Sequence, residues 1–197
     1  MPRVPEVPEV QIRAGAVRLP PFFFDGYTDS TTMIGRLVLA AILAIAPLSA
    51  AEPISVLVFT TTDCPISNRY APEIQRLAGK FGGQAKFTLV YPVRSDSPEL
   101  IREHVRKFAY TIDTVRDVDQ ELVKQTGVTV TPEVVVMRGS TMLYRGRIDD
   151  RYVELGRERP KPTTHDLEDA LKAVIAGKPV VLRETQAVGC FLPELTK

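Results

Sequence analysis

Cys64 and Cys190 are the only thiols in the chain, and His104 and His165 its only imidazoles. Two cysteines are too few for a disulfide-dense scaffold or a four-thiolate zinc site, and two histidines contribute little to a metal cluster. Neither a metal nor a cofactor is expected, and what chemistry there is falls to a thiol. Cys64 lies in Asp63-Cys64-Pro65, directly after Ile54-Ser-Val-Leu-Val-Phe-Thr60, a short apolar run rich in β-branched residues. Beyond it Ile74, Leu77, Ala78 and Phe81 recur at helical spacing until Gly82-Gly83. The thiol therefore sits where a strand hands over to a helix. Unpaired backbone N–H groups and the positive end of the helix dipole gather there, and both favour the thiolate. Pro65 suits the first helical turn, and the Ser67 hydroxyl is placed to donate to the anion. Asp63 acts in the opposite sense, since a neighbouring carboxylate raises a thiol pKa, with Arg69 as the available counter-charge. The plain alternative is a cysteine that only packs, because free cysteines are among the most buried side chains.

A second feature is Thr131-Pro132, inside the run Val128–Met137. A proline in a core strand cannot complete its ladder hydrogen bond. A cis Thr131–Pro132 bond facing the Cys64 sulfur would account for it.

The elements that must position these residues alternate. Lys86–Tyr91 reads as a second strand, and Ser97-Pro98-Glu99 opens a helix that buries Ile101, Val105 and Phe108. A brief helix follows Asp117, carries Leu122 and Val123, and stops at Gly127. Val128–Met137 and Met142–Ile148 form a hairpin about Arg138-Gly139-Ser140. The last helix starts at Thr163-Thr164, buries Leu167, Ala170, Leu171, Val174 and Ile175, and ends at Gly177. Asp149–Pro162 is expected to be a solvated loop, with one wall of a cleft as its alternative role, and residues 178–197 a tail in which Gly189 allows a sharp turn. His104 and His165 are expected at surface or capping positions. This order describes an α/β sandwich with a mixed sheet.

The 25 Lys+Arg are interspersed with 24 Asp+Glu, so no basic stripe marks a nucleic-acid partner. The first 51 residues differ in composition from the rest. Leu37–Leu48 is an apolar run preceded by Arg36 and followed by Ser49-Ala50-Ala51, the three parts of a secretory signal peptide. It falls short of the roughly 20 residues that span a bilayer. Residues 33–51 are read as a signal peptide with translation starting at Met33, and residues 1–32 as a misassigned or disordered extension. The working domain is then 52–197, periplasmic or otherwise exported. The rival is an N-terminal arm with an uncleaved membrane anchor.

A strand, a Cys-Pro at a helix start, a Thr-Pro ahead of a hairpin and a final helix together resemble the thioredoxin-like superfamily. Within it, Asp63-Cys-Pro-Ile-Ser-Asn-Arg-Tyr-Ala-Pro-Glu73 is similar to exported redoxin-domain proteins. The likeness covers residues 52–197 and includes Tyr144–Tyr152, Thr164–Ala170 and Val188-Gly-Cys190. It implies a mixed sheet flanked by helices, with an insertion before the last helix and a C-terminal tail. It also implies that Cys64 is the attacking thiol and that Pro132 is a cis-proline shaping a substrate groove with Thr61, Pro65, Ser67 and Thr131. The implied partner is a thiol or disulfide protein. Two departures matter. Asp63 and Ser67 stand where thioredoxins carry a tryptophan and a second cysteine, so no redox cycle can close within that motif. Thr61 and Cys64 match the second half of the peroxiredoxin pattern Pro-x-x-x-Thr-x-x-Cys, but Leu57 occupies the proline position and no peroxide-polarising arginine is identified.

Cys190 is the candidate resolving thiol. A catalytic disulfide with Cys64, a permanent structural one, and two separate thiols are all open. The expected function is extracytoplasmic thiol–disulfide exchange through Cys64, with peroxide as a further substrate. The alternatives are a noncatalytic thioredoxin-like binding module, and a copper- or haem-delivery protein in which Cys64, Cys190 and His165 would converge.

Overall fold

A computed structural model describes residues 52–193. The expectations of a start at Met33, a signal peptide over 33–51 and an extension over 1–32 fall outside these residues. The apolar runs build the central sheet. Strand β1 (Ile54–Phe59) lies at its middle, parallel to β2 (Ala85–Tyr91) and antiparallel to β5 (Glu133–Arg138). Strand β3 (Asp113–Arg116) continues the sheet beyond β2 and β6 (Thr141–Gly146) beyond β5, giving the order β3-β2-β1-β5-β6.

The period-2 alternation of strand side chains divides the core in two. Val56, Val58, Val134 and Val136 face one side with Ile74 and Leu77 of α1 (Pro65–Phe81), Ile101 of α2 (Pro98–Lys107), and Leu167 and Leu171 of α4 (Asp166–Ile175). Phe59, Val90, Val135 and Met137 face the other, against Leu122 and Val123 of α3 (Glu121–Thr126). Burial on both faces explains why these strands read as continuous apolar runs.

The structure departs from the sequence reading at four places. Strand β3 had no sequence signal because all four of its residues are exposed, and as an edge strand it needs no apolar stripe. The segment Asp149–Pro162 carries a hairpin, β7 (Tyr152–Glu154) and β8 (Arg157–Glu158), in place of a simple loop. Its base is tied down by buried Asp150, which accepts the N–H groups of Thr163 and Thr164 at 2.6 and 3.0 Å and pairs with Arg159 at 3.2 Å. Those same bonds place Thr163 and Thr164 ahead of α4, so the helix begins at Asp166. Adjacent Asp149 accepts the Tyr70 hydroxyl of α1 at 2.5 Å. His104 is not at the surface: it is buried on α2 among Tyr91, Phe108 and Tyr110. His165 is exposed at the cap position of α4 and makes no capping hydrogen bond.

The run Val128–Met137 is divided by its proline. Strand β4 (Val130–Thr131) ends at a cis Thr131–Pro132 bond, after which the chain enters β5. The tail returns as β9 (Cys190–Phe191) and pairs antiparallel with β4, setting Cys190 opposite Thr131.

Candidate functional site

Cys64 is the N-cap residue of α1. Its extended backbone turns the chain out of β1, and its sulfur accepts the Ser67 N–H at 3.5 Å, one of the donors that a helix start leaves unpaired. The Sγ also donates to the carbonyl of Thr131 at 3.1 Å and lies 2.7 Å from Cys190 Sγ. Five of the anticipated residues thus meet at one point: Cys64 and Ser67 from the strand-to-helix turn, Thr131 and Pro132 from the proline loop, and Cys190 from the tail. Thr61 is buried in the turn, but among the described residues neither sulfur takes a hydrogen bond from it. Pro65 occupies the first helical position and is exposed.

The two thiols are unequal. Burial pushes the Cys64 thiol up, but hydrogen bonding from Cys190 and from the Ser67 hydroxyl and N–H outweighs it and holds the thiol below its ordinary value. The Ser67 hydroxyl is buried and has no hydrogen-bond partner among the described residues, which leaves it available to donate to a Cys64 thiolate. Burial and the neighbouring Cys64 push the Cys190 thiol well up, with Asp63 adding to the rise. The sequence placed the Asp63 charge against Cys64; in the fold it bears on Cys190. Arg69 is exposed and acts on Tyr152, not on the thiol. Cys64 is only 1% exposed and belongs to the apolar core, whereas Cys190 is partly exposed.

A polar chain that the sequence did not reveal braces the turn. Asn68 donates to the Thr62 carbonyl at 3.3 Å, and its own carbonyl meets His104 Nε2 at 2.7 Å. That carbonyl can only accept, so Nε2 carries the imidazole proton and Nδ1 takes the Tyr91 hydroxyl at 2.9 Å. Burial lowers the His104 pKa, with Lys107 adding to the effect, which keeps this neutral tautomer. The Thr62 N–H and hydroxyl both reach Asp96 Oδ1, at 3.3 and 2.5 Å, and burial raises the pKa of that carboxyl against these donors.

The tail is also fixed by residues with no local motif. Gln120, buried with φ +55°, donates from Nε2 to the carbonyls of Pro92 and Pro193 at 3.3 and 3.0 Å. Leu192 N–H donates to Thr129 at 3.0 Å. Gly189 is needed for close approach: a Cβ there would lie 2.1 Å from the Thr131 carbonyl oxygen. It also stands at a bend that leads the tail into β9, where the sequence allowed a sharp turn. A cleft of about 810 Å³ runs between Val153–Leu155, Glu133, Arg145 and the tail residues Glu184–Gly189 and Phe191. The 149–162 segment therefore does form one wall of a cleft, although neither sulfur lines it. No group of three His, Cys, Asp or Glu side chains suited to a metal occurs among the described residues.

No protein-family model matches the chain, and no curated protein does. Solved structures do. An uncharacterised conserved protein from Geobacillus kaustophilus superposes with a TM-score of 0.65 at 23% identity, covering 75% of this chain and 80% of its own. A hypothetical protein from Sinorhizobium meliloti 1021 gives 0.62 at 23% identity over 72% of this chain and 79% of its own. A thioredoxin-like protein solved in its oxidised form gives 0.50 at 16% identity over 66% and 82%. The fold is thioredoxin-like. This thioredoxin-like architecture puts α1 at the end of the central strand, with the cis-proline loop beside its first turn, and the mixed sheet and the cis Thr131–Pro132 bond agree with the expectation from sequence.

Proposed function

We propose that this protein performs thiol–disulfide exchange, with Cys64 and Cys190 cycling between a dithiol and an intramolecular disulfide. The carrying observation is the contact of the two sulfurs beside the cis-proline loop, at the N-terminus of a helix whose Ser67 N–H meets the inner sulfur. In one direction the disulfide accepts two electrons from a client dithiol, leaving Cys64 and Cys190 reduced and the client oxidised. In the other, the dithiol reduces a client disulfide. Peroxide is a second oxidant for the same pair: the Cys64 thiolate takes one oxygen to become a sulfenic acid, an alcohol or water departs, and Cys190 displaces water to close the disulfide. The export reading rests on the signal-like residues 33–51. N-terminal sequencing of the secreted product tests it, and recovery of peptides from residues 1–32 would overturn the Met33 start.

The near-complete burial of Cys64 favours a second reading, a noncatalytic binding module with a static disulfide. A redox titration of the folded protein separates the two. Exchange requires a Cys64–Cys190 disulfide that forms under oxidised glutathione, opens under dithiothreitol, and supports client turnover that Cys64→Ser abolishes. A bond that resists dithiothreitol until the protein unfolds would establish the static reading.

A further inference from the structure

We propose that a client thiol enters the exchange at Cys190, and that Cys64 is the sulfur that leaves. This rests on the reversible disulfide proposed above, and it inverts the order that the family resemblance implies.

The geometry of the pair carries the argument. Exchange proceeds by attack of a thiolate on one sulfur of a disulfide through a mixed-disulfide intermediate. The incoming sulfur approaches along the S–S axis, from the side opposite the departing one. An approach to Cys64 along that axis must come from the side away from Cys190, yet Cys64 is only 1% exposed and belongs to the apolar core. The Thr131 carbonyl and the Ser67 N–H occupy the polar directions around its sulfur. Whatever exposure the pair has belongs to Cys190, which rides on the outermost element of the site. The tail cannot readily lift to reverse this: the Gln120 amide holds Pro193, Leu192 is bonded to Thr129, and Gly189 lies against the proline loop.

The departing sulfur is also the better supported one. A thiol with a lower pKa leaves faster, and the helix N-terminus that makes Cys64 hard to reach also stabilises it as an anion through the Ser67 N–H. The client thiolate bonds to Cys190 Sγ, the Cys64–Cys190 bond breaks, and Cys64 departs with the electron pair. A second client thiolate then attacks the client sulfur of the mixed disulfide, forming the client disulfide, and Cys190 leaves and takes up a proton. Reversed, the same steps reduce a client: Cys64 resolves a mixed disulfide carried on Cys190.

Glutathione is the probe. The full chain, oxidised to its intramolecular disulfide, is mixed with excess glutathione, quenched with acid at short times, alkylated with N-ethylmaleimide and mapped by peptide mass spectrometry. The expected intermediate carries glutathione on Cys190 and maleimide on Cys64, with at least a tenfold excess over the opposite pattern. Glutathione on Cys64, or equally on both, overturns the assignment while leaving the exchange reading intact. Failure to form any Cys64–Cys190 disulfide at the outset overturns the exchange reading instead.

Discussion

The strand-to-helix turn that carries Cys64 and the tail strand that carries Cys190 meet through two sulfurs, yet they are built on opposite principles. The turn is enclosed and rich in donors: the cysteine caps a seventeen-residue helix, receives the Ser67 N–H, and is backed by the chain from Thr62 through Asn68 to His104. The tail strand is two residues long, is held to β4 by pairing at Val130 and Thr131, and brings to the inner sulfur the thiol and the backbone N–H of Cys190. The difference teaches that stabilising a thiolate and exposing a sulfur make conflicting demands. Backbone N–H groups concentrate at a helix start packed into the core, where solvent is excluded. Two sulfurs from two regions divide the demands, one tuned and one reachable.

Removing either sulfur should break this division most severely. Cys64→Ser and Cys190→Ser are each expected to reduce client-dithiol turnover to the background rate, because neither thiol can close the cycle alone. Full activity in Cys190→Ser would mean that the tail is not part of the chemistry.

Separating the regions without touching sulfur comes next. In Gly189→Ala the new methyl meets the Thr131 carbonyl, and overpacking of this kind costs about 1–3 kcal/mol. The tail is expected to be displaced, slowing disulfide closure and speeding alkylation of Cys64 by iodoacetamide. Unchanged alkylation would show that the tail does not cover Cys64.

A milder loosening follows from Gln120→Ala. One hydrogen bond contributes about 1 kcal/mol net, so loss of the bond to Pro193 should raise the open population of the tail roughly fivefold. Faster exchange of the Leu192 amide, with α1 amides unaffected, is the readout.

The smallest effect sharpens the asymmetry from the Cys64 side. Ser67→Ala removes the hydroxyl that the thiolate would engage, and the Cys64 pKa should move up toward its ordinary value. The sign is fixed: the alkylation rate falls as pH drops through the Cys64 pKa, so the variant profile lies at higher pH than wild type. The reduced protein gives a matching stability signature. A depressed folded-state pKa contributes stability above the unfolded thiol pKa, about 8.5, and loses it as pH falls through the folded value. Ser67→Ala should shrink that gain, as read by urea unfolding at alkaline and neutral pH.

Much of the inner region was legible because its signals are local. The β-branched run of β1, the helical stripe of α1 and the Cys-Pro at their junction each lie within one stretch of chain, and Thr131-Pro132 announced itself by breaking a strand. The polar chain behind the turn was not legible. His104 looked like a surface residue because a burial partner such as Tyr91 is supplied by another element, and no spacing rule links Asn68, Thr62 and Asp96. The Asp150 anchor of the 149–162 hairpin escaped notice for the same reason, and β3 because an exposed edge strand carries no hydrophobic period.

The sequence by itself determined that the chain is α/β, that a thiol stands at a strand-to-helix junction, and that a proline interrupts the strand opposite, since propensity and period act over a few neighbouring residues. Only the tertiary structure decided that Cys190 lies against Cys64, that Asp63 bears on the outer thiol, and that the inner thiol is covered. Those outcomes depend on where β9 pairs. That is set by the Gln120 amide, the missing side chain of Gly189 and the free edge of β4, groups far apart along the chain that act only once the sheet has brought them together.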